Sequence, residues 1–209
     1  MSASLIDYRV TDFRAFAAGK RFGETGAYER LKGRVTFRVD PAAPGVRDVT
    51  DIELAPRDET GRVRFEADFC ILRPVDPDKG NGRLFYDYGN RGDKRALQFF
   101  NVATGSNDPL DEAHAGDGYL MKRGYTVVWM GWQGDLLPGD GRLLLDVPVA
   151  THEGAPVTGT ICTEFIASEH GRHEIPLSTQ ASTRSYPTVS LDTTRATLSR
   201  RAYATAQRE

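Results

Sequence analysis

The chain has 209 residues, enough for one large domain or two small ones. Its 27 Lys and Arg stand against 29 Asp and Glu, a net charge of −2, which leaves no basic footprint for nucleic acid and no polybasic patch for a membrane surface. Hydrophobic residues make up 39% and the mean hydropathy is −0.46, so a soluble globular protein is expected, and no apolar run approaches the ~18 residues a membrane span needs.

Residues 1–32 are mixed. No charged segment followed by an apolar stretch opens the chain, so no signal peptide is read and a cytoplasmic location is favoured. Asp12 is placed to cap a short helix through Lys20. The glycine-punctuated stretch from Gly23 to Glu29 reads as irregular. From Gly33 the pattern alternates, with Val35, Phe37 and Val39 on one face and Arg34, Thr36 and Arg38 on the other. That is a half-buried strand, ended by Asp40-Pro41.

Val49 to Leu54 predicts a weaker strand, and Asp58-Glu59-Thr60-Gly61 a turn. Val63, Phe65, Ala67, Phe69 and Ile71 then alternate with Arg64, Glu66, Asp68 and Cys70 until Pro74. Strand, turn and strand of period two imply antiparallel hairpins, so residues 1–82 read as a β-rich N-terminal region.

Residues 83–135 read differently. The strand at 83–88 loses its alternation and that at 125–130 is apolar nearly throughout, as strands covered on both faces are. Between them Asp117 and Gly124 are placed to cap a short helix. The rest of the connection, 93–116, is long and turn-rich. Together these form one β-α-β unit. Residues 136–209 read as an irregular and β-rich insertion. Leu143 to Ala150 predicts an edge strand because Pro148 sits within it, and Gly159 to Ile166 a short strand. The segment 176–194 is rich in Ser and Thr, and 192–209 suits helix and strand equally.

The two cysteines, Cys70 and Cys162, do not make a disulfide framework and fit a reducing compartment. Cys70 reads as a small buried hydrophobe. Among the histidines, His170 and His173 with Glu169, Glu174 and Cys162 nearby hint at a metal. Gly171 and Pro176 break the helix that their spacing would need, so no metal is assigned. Asp76-Pro77-Asp78, and Asp48 with Asp51, lack the closing glutamate of a calcium loop. No dinucleotide fingerprint or Walker loop is present, and no cofactor is assigned.

Several segments together are similar to a known family. They are Phe22-Gly23, Gly26 with Tyr28-Glu29, Asp40-Pro41, Asp51 with Leu54-Ala55-Pro56-Arg57, Asn90-Arg91-Gly92, Gly118-Tyr119-Leu120 through Arg123-Gly124-Tyr125, Gly131-Trp132-Gln133-Gly134-Asp135, and Pro148-Val149-Ala150-Thr151. They resemble the N-terminal part of bacterial proteins described as alpha/beta hydrolase domain-containing. The resemblance runs from about residue 20 to about 150, more weakly to about 200, and Asn-Arg-Gly and Gly-Trp-Gln-Gly-Asp are its most specific pieces.

The resemblance implies an α/β fold: a partial α/β-hydrolase sheet with a β-rich N-terminal layer and a β-rich insertion. It implies serine-mediated hydrolysis of a small ester-like substrate by the complete protein, whose nucleophile, acid and histidine follow the region covered here. No Gly-x-Ser-x-Gly occurs in this chain, and Ser106 lacks the strand and second glycine of a nucleophile elbow. No catalytic residue is assigned, and the chain is expected to be a fragment, inactive alone.

In that frame Asn90, Arg91 and Gly92 are oxyanion-hole candidates, since one amide of the hole comes from the loop after the strand at 83–88. The alternative is a plain turn with Arg91 paired to Asp87 or Asp93. Trp132 and Asp135 are substrate-pocket candidates at the end of the next strand. Their alternatives are a packed core tryptophan and a turn or cap residue. A rival reading is a non-catalytic binding or interaction module. Its sheet edges, at 83–88 and 125–130, would be uncovered and open to self-association.

Overall fold

In the computed structural model, which describes residues 3–162 and then 171, 174, 182–185, 187–200, 202–203 and 205–207, the chain opens with three long antiparallel strands. They are β1 (Ala3–Ala15), β2 (Tyr28–Val39) and β3 (Val63–Pro74). β2 pairs with β3 over its whole length, from Tyr28 opposite Pro74 to Val39 opposite Val63. β1 pairs with β2 through two register shifts, at Leu5/Asp7 and Val10/Asp12. The expected helix from Asp12 does not form. Asp12 lies in β1, and its carboxylate faces Arg14 and Arg30 instead of a helix start. Val10-Thr11 before it are β-branched and favour extended backbone.

The expected strand at 49–54 is also overturned. Val46, Arg47 and Val49 donate to Ala43 and Val46 carbonyls, Asp51 sits at φ 57°, and Ile52–Leu54 is a 3-10 turn. Local turn bonds have taken the donors that a ladder would need. The turn at Asp58 to Gly61 does form, closed by Gly61 N–H donating to the Asp58 carbonyl at 2.9 Å.

β3 carries the sheet onward. Its far edge is shared end to end by β5 (Thr126–Met130), opposite Phe69 to Leu72, and β6 (Leu145–Asp146), opposite Glu66 and Ala67. β4 (Leu84–Tyr86) lies outside β5 and runs parallel to it, so the order is β1-β2-β3-β5-β4. The strand at 126–130 is therefore interior. Among the described residues the strand order ends at β1 on one side and at β4 on the other. Of the expected edge strand at 143–150 only β6 pairs, ahead of Pro148. β7 (Thr151–His152) and β8 (Ala155–Pro156) make a small hairpin apart from the sheet. The expected strand at 159–166 has no regular structure over 159–162, and 163–166 lie outside the described residues.

The α/β expectation is overturned. Among the described residues strand predominates, and the α-helices are only α1 (Ala96–Phe100) and α2 (Tyr119–Lys122). The sheet is mixed, with one parallel pair, instead of a helix-flanked parallel sheet. Two causes are visible. The first 75 residues go into long antiparallel ribbons. The β4–β5 connection is cut by Pro109 and by Gly116 and Gly118, both at positive φ, so no helix in it exceeds five residues. At Gly116 any Cβ would run into the Asn101 carbonyl.

That connection still builds the main core. It lays Leu97, Ala103, Ala115, Leu120 and Met121 against Cys70, Leu72, Val127 and Trp129. β3 thus has two characters. Val63, Ala67 and Phe69 are buried on one face, while the other face turns from Arg64, Glu66 and Asp68 to Cys70 and Leu72 where the connection covers it. Tyr28 joins the layers by donating its hydroxyl to the Tyr125 carbonyl at 2.9 Å. α2 is preceded by Gly118 at φ 71°, and Asp117 caps from one residue further out, its Oδ1 accepting from Tyr119 N–H.

Candidate functional site

The ends of the two parallel strands lie side by side. After β4 the chain runs through Asp87 and Tyr88 into a tight turn, Gly89 to Asp93, closed by Asp93 N–H donating to the Asn90 carbonyl at 3.1 Å. Two residues of the turn are left-handed, Arg91 at φ 56° and Gly92 at φ 76°. Gly89 is required for space: a Cβ there would collide with the Asp93 carbonyl. After β5 the chain runs Gly131-Trp132-Gln133-Gly134-Asp135. A Cβ on Gly131 would strike the Leu144 carbonyl, so the segment passes close beside Leu144.

Side chains of the second turn clasp the backbone of the first. Trp132 Nε1 donates to the Gly89 carbonyl at 2.9 Å, and Arg91 N–H donates to Gln133 Oε1 at 2.5 Å. Leu143 N–H adds a bond to the Gly92 carbonyl at 3.2 Å, and Leu145 N–H one to the Gln133 carbonyl at 3.3 Å. The structure therefore brings Asn90, Arg91, Gly92 and Trp132 together. It leaves Asp135 outside the clasp, with an exposed side chain and a carbonyl that accepts from Arg184 N–H at 2.6 Å.

The support for the turn is two carboxylates and a lysine. Asp87 Oδ2 accepts from Trp129 Nε1 at 2.7 Å and from the N–H groups of Ala96 and Arg95 at 2.8 and 3.0 Å. Asp93 is taken by Arg95 at 3.1 Å and by Asn107 at 2.8 Å. Both acids that could have paired with Arg91 are thus engaged elsewhere. Lys94 is buried, and Nζ donates to the carbonyls of Asn107 at 2.5 Å and Gly141 at 2.7 Å. Burial holds its pKa below the ordinary lysine value. Trp132 is 48% exposed, and the tryptophan of the packed core is Trp129, at 1%.

The sequence assigns Gln133 no role, and Asp87 only that of a partner for Arg91, which the structure does not show. The signal for Gln133 was its place between two glycines in the same pentapeptide as Trp132. For the three bonds of Asp87 there was none, since Trp129 and the Arg95 and Ala96 amides meet at it only in the fold. Between residues 85–88 and α1 a depression of about 210 Å³ is lined by Phe85, Tyr86, Tyr88, Phe99 and Phe100.

Elsewhere the polar residues act structurally. Ser106 Oγ accepts from Asp108 N–H, and His114 Nδ1 accepts from the N–H groups of Leu110 and Asp111. Among the described residues no three His, Cys, Asp or Glu side chains converge as a metal site would need. His170, His173 and Glu169 lie outside the described residues. No helix among the described residues is long and apolar enough to cross a membrane. No family model, curated protein or solved structure matches the chain.

Proposed function

We propose that this chain supplies the oxyanion side of an ester-hydrolase site, in the lineage of the alpha/beta hydrolase domain-containing proteins, and does not hydrolyse esters alone. The observation that carries the reading is the clasp. Two glycine-rich turns at the carboxyl ends of neighbouring parallel strands are held together by Trp132 and Gln133 at Gly89 and Arg91. Such strand ends are where ligands bind in parallel sheets. Glycine lets the backbone approach a substrate oxygen, and preorganised amides stabilise the charge that develops on it by roughly 3 kcal/mol each.

Asn90, Arg91 and Gly92 would face the carbonyl oxygen of a small ester-like substrate, with Trp132 beside it. The serine nucleophile is not among the residues described, and Ser106 is tied into a turn. The test is a ¹⁵N-labelled chain titrated with ethyl butyrate. Shifts confined to 89–93 and 131–134 are expected, with no p-nitrophenyl ester turnover and no fluorophosphonate label. Shifts elsewhere only, or stoichiometric labelling of a serine, would overturn the reading.

One observation favours a second reading, an interaction module. β4 has no outer strand partner among the described residues, and Leu84, Tyr86 and Tyr88 on or beside it are 61%, 45% and 71% exposed. An uncovered apolar edge is a template for strand pairing with a second copy or another chain. Monodisperse dimers by light scattering, dispersed by Tyr86→Lys, would support that reading. A monomer at all concentrations would exclude self-association.

A further inference from the structure

We propose that Gln133 is a displaceable cap on the Arg91 amide, its Oε1 standing where the oxygen of a carboxylate or ester ligand would accept the same hydrogen bond. The inference rests on the reading of the 89–93 turn as an oxyanion loop and adds how that loop is occupied before a ligand arrives. The atom facing Arg91 N–H has to be an acceptor, so the amide oxygen of Gln133 is the one presented.

The contact joins residues 42 apart in the chain, and no regular element requires it. The Gln133 backbone is fixed independently, through its carbonyl and Leu145 N–H. The side chain can therefore turn away without carrying the loop with it. Gln133 and Arg91 are both only partly buried, so a small ligand can reach the exchange point.

Chemistry sets the direction of exchange. The glutamine oxygen is a neutral acceptor, whereas a carboxylate or a developing alkoxide is charged and accepts more strongly from the same N–H. The neutral cap satisfies a buried-side donor in the resting protein and yields to charge. Arg91 sits in the left-handed region, which points its N–H along a direction set by the turn and not by the ligand. The cap is a positioning group and takes no part in bond making.

The test uses the ¹⁵N-labelled full chain, sodium acetate as probe, and sodium chloride at equal ionic strength as control. Gln133→Met keeps the side-chain length and removes the strong acceptor. Amide exchange at Arg91 is expected to rise by about tenfold, and the acetate Kd read at Arg91 to fall by about fivefold, the competitor being one hydrogen bond of ordinary strength. Unchanged Arg91 exchange together with an unchanged acetate response would overturn the proposal.

If Gln133→Met does not fold, Gln133→Glu decides. At neutral pH its carboxylate keeps Arg91 protected and weakens the acetate response below that of the parent chain. A response equal to the parent's overturns the cap. The two readings fail separately. Ethyl butyrate shifts at 89–93, with both Arg91 exchange and the acetate response unchanged by Gln133→Met, would remove the cap alone. A released Arg91 amide that binds acetate while no ester perturbs the loop would remove the hydrolase reading alone.

Discussion

Trp129 donates its indole N–H to Oδ2 of Asp87 at 2.7 Å, tying β5 to the chain just past β4. The same oxygen holds the first amides of α1. One carboxylate therefore sets the spacing between the core strand, the helix and the entrance to the Gly89 turn. Asp87→Ala leaves a buried indole N–H and two amides without their acceptor, at about 1–3 kcal/mol for the unsatisfied indole donor. The expected loss is about 2–4 kcal/mol in urea unfolding, with Asp87→Asn losing less than half of that because one acceptor oxygen remains.

Arg30 gives an asymmetric prediction. It is 1% exposed and bonds Asp12 and Asp108, whose side chains are 24% and 52% exposed. Remove the arginine and both acids can still reach water. Remove both acids and a buried guanidinium is left uncompensated, which costs about 3–5 kcal/mol. Denaturant unfolding should therefore show Asp12→Ala with Asp108→Ala to be more damaging than Arg30→Met. The reverse order would mean that packing of the arginine stem, and not its charge, is what matters at this position.

The long ribbons were legible because one signal, period-two alternation, is local: Val35 to Val39 and Val63 to Ile71 show it within a few residues. The helix expected at Asp12 and the strand expected at 49–54 fail for two different physical reasons. The partner of Asp12, Arg30 across the ribbon, lies outside the window that a propensity samples, whereas at 46–49 turn bonds to the Ala43 and Val46 carbonyls, three or four residues back, prevail over the extended preference of the β-branched residues. The resemblance carried an α/β fold with it, while the positive-φ glycines at 116 and 118 deny that connection long helices. At the candidate site the tight turn was readable from Asn-Arg-Gly. That Gln133 accepts from the Arg91 amide was not, because the pentapeptide that marks Gln133 does not say which group, 42 residues away, it meets.

The two cysteines should differ sharply. Burial pushes the Cys70 thiol up to about 11, and Cys162 is exposed. The thiolate is the reactive form, so a buried, protonated Cys70 is inert on the time scale of the native state. Ellman's reagent should titrate one thiol in the native chain, at Cys162, and two after denaturation. A second native equivalent would show that the layer formed by 96–121 opens readily above β3.

Asp58 predicts a pH dependence. Its carboxylate accepts from Thr60 Oγ1 at 2.6 Å, from Thr60 and Arg62 N–H, and faces Arg38. The Thr60 hydroxyl bond leads in holding its pKa down, to about 2. An unfolded aspartate titrates near ~3.9. The folded group binds its proton later than the unfolded one, so its contribution is complete above ~4 and is lost as pH falls through that window towards about 2. Thr60→Val should raise the Asp58 titration midpoint followed by carboxyl NMR and flatten the acid limb of stability. An unchanged midpoint would assign the depression to the Arg62 and Thr60 amides and to Arg38 instead.

The turn itself yields the last prediction, from its two left-handed residues. Gly92 sits at φ 76°, and a Cβ there would lie 2.8 Å from the Leu143 carbonyl oxygen and 2.9 Å from its nitrogen. Gly92→Ala is therefore opposed by both backbone conformation and space, and neither atom is the end of a flexible side chain. It should cost more than ~1 kcal/mol and break the Leu143-to-Gly92 bond. Arg91, at φ 56°, has a Cβ that already pays about 1 kcal/mol for that conformation. Arg91→Gly relieves this but adds a similar entropy to the unfolded chain, so its stability should change by less than about 0.5 kcal/mol. Urea midpoints of the two variants check the pair. The ester titration then separates stability from recognition: Arg91→Gly keeps the backbone donors and should retain the shifts at 89–93, whereas Gly92→Ala should lose them. Loss in both would mean that the Arg91 side chain, and not the turn's amides, holds the ligand.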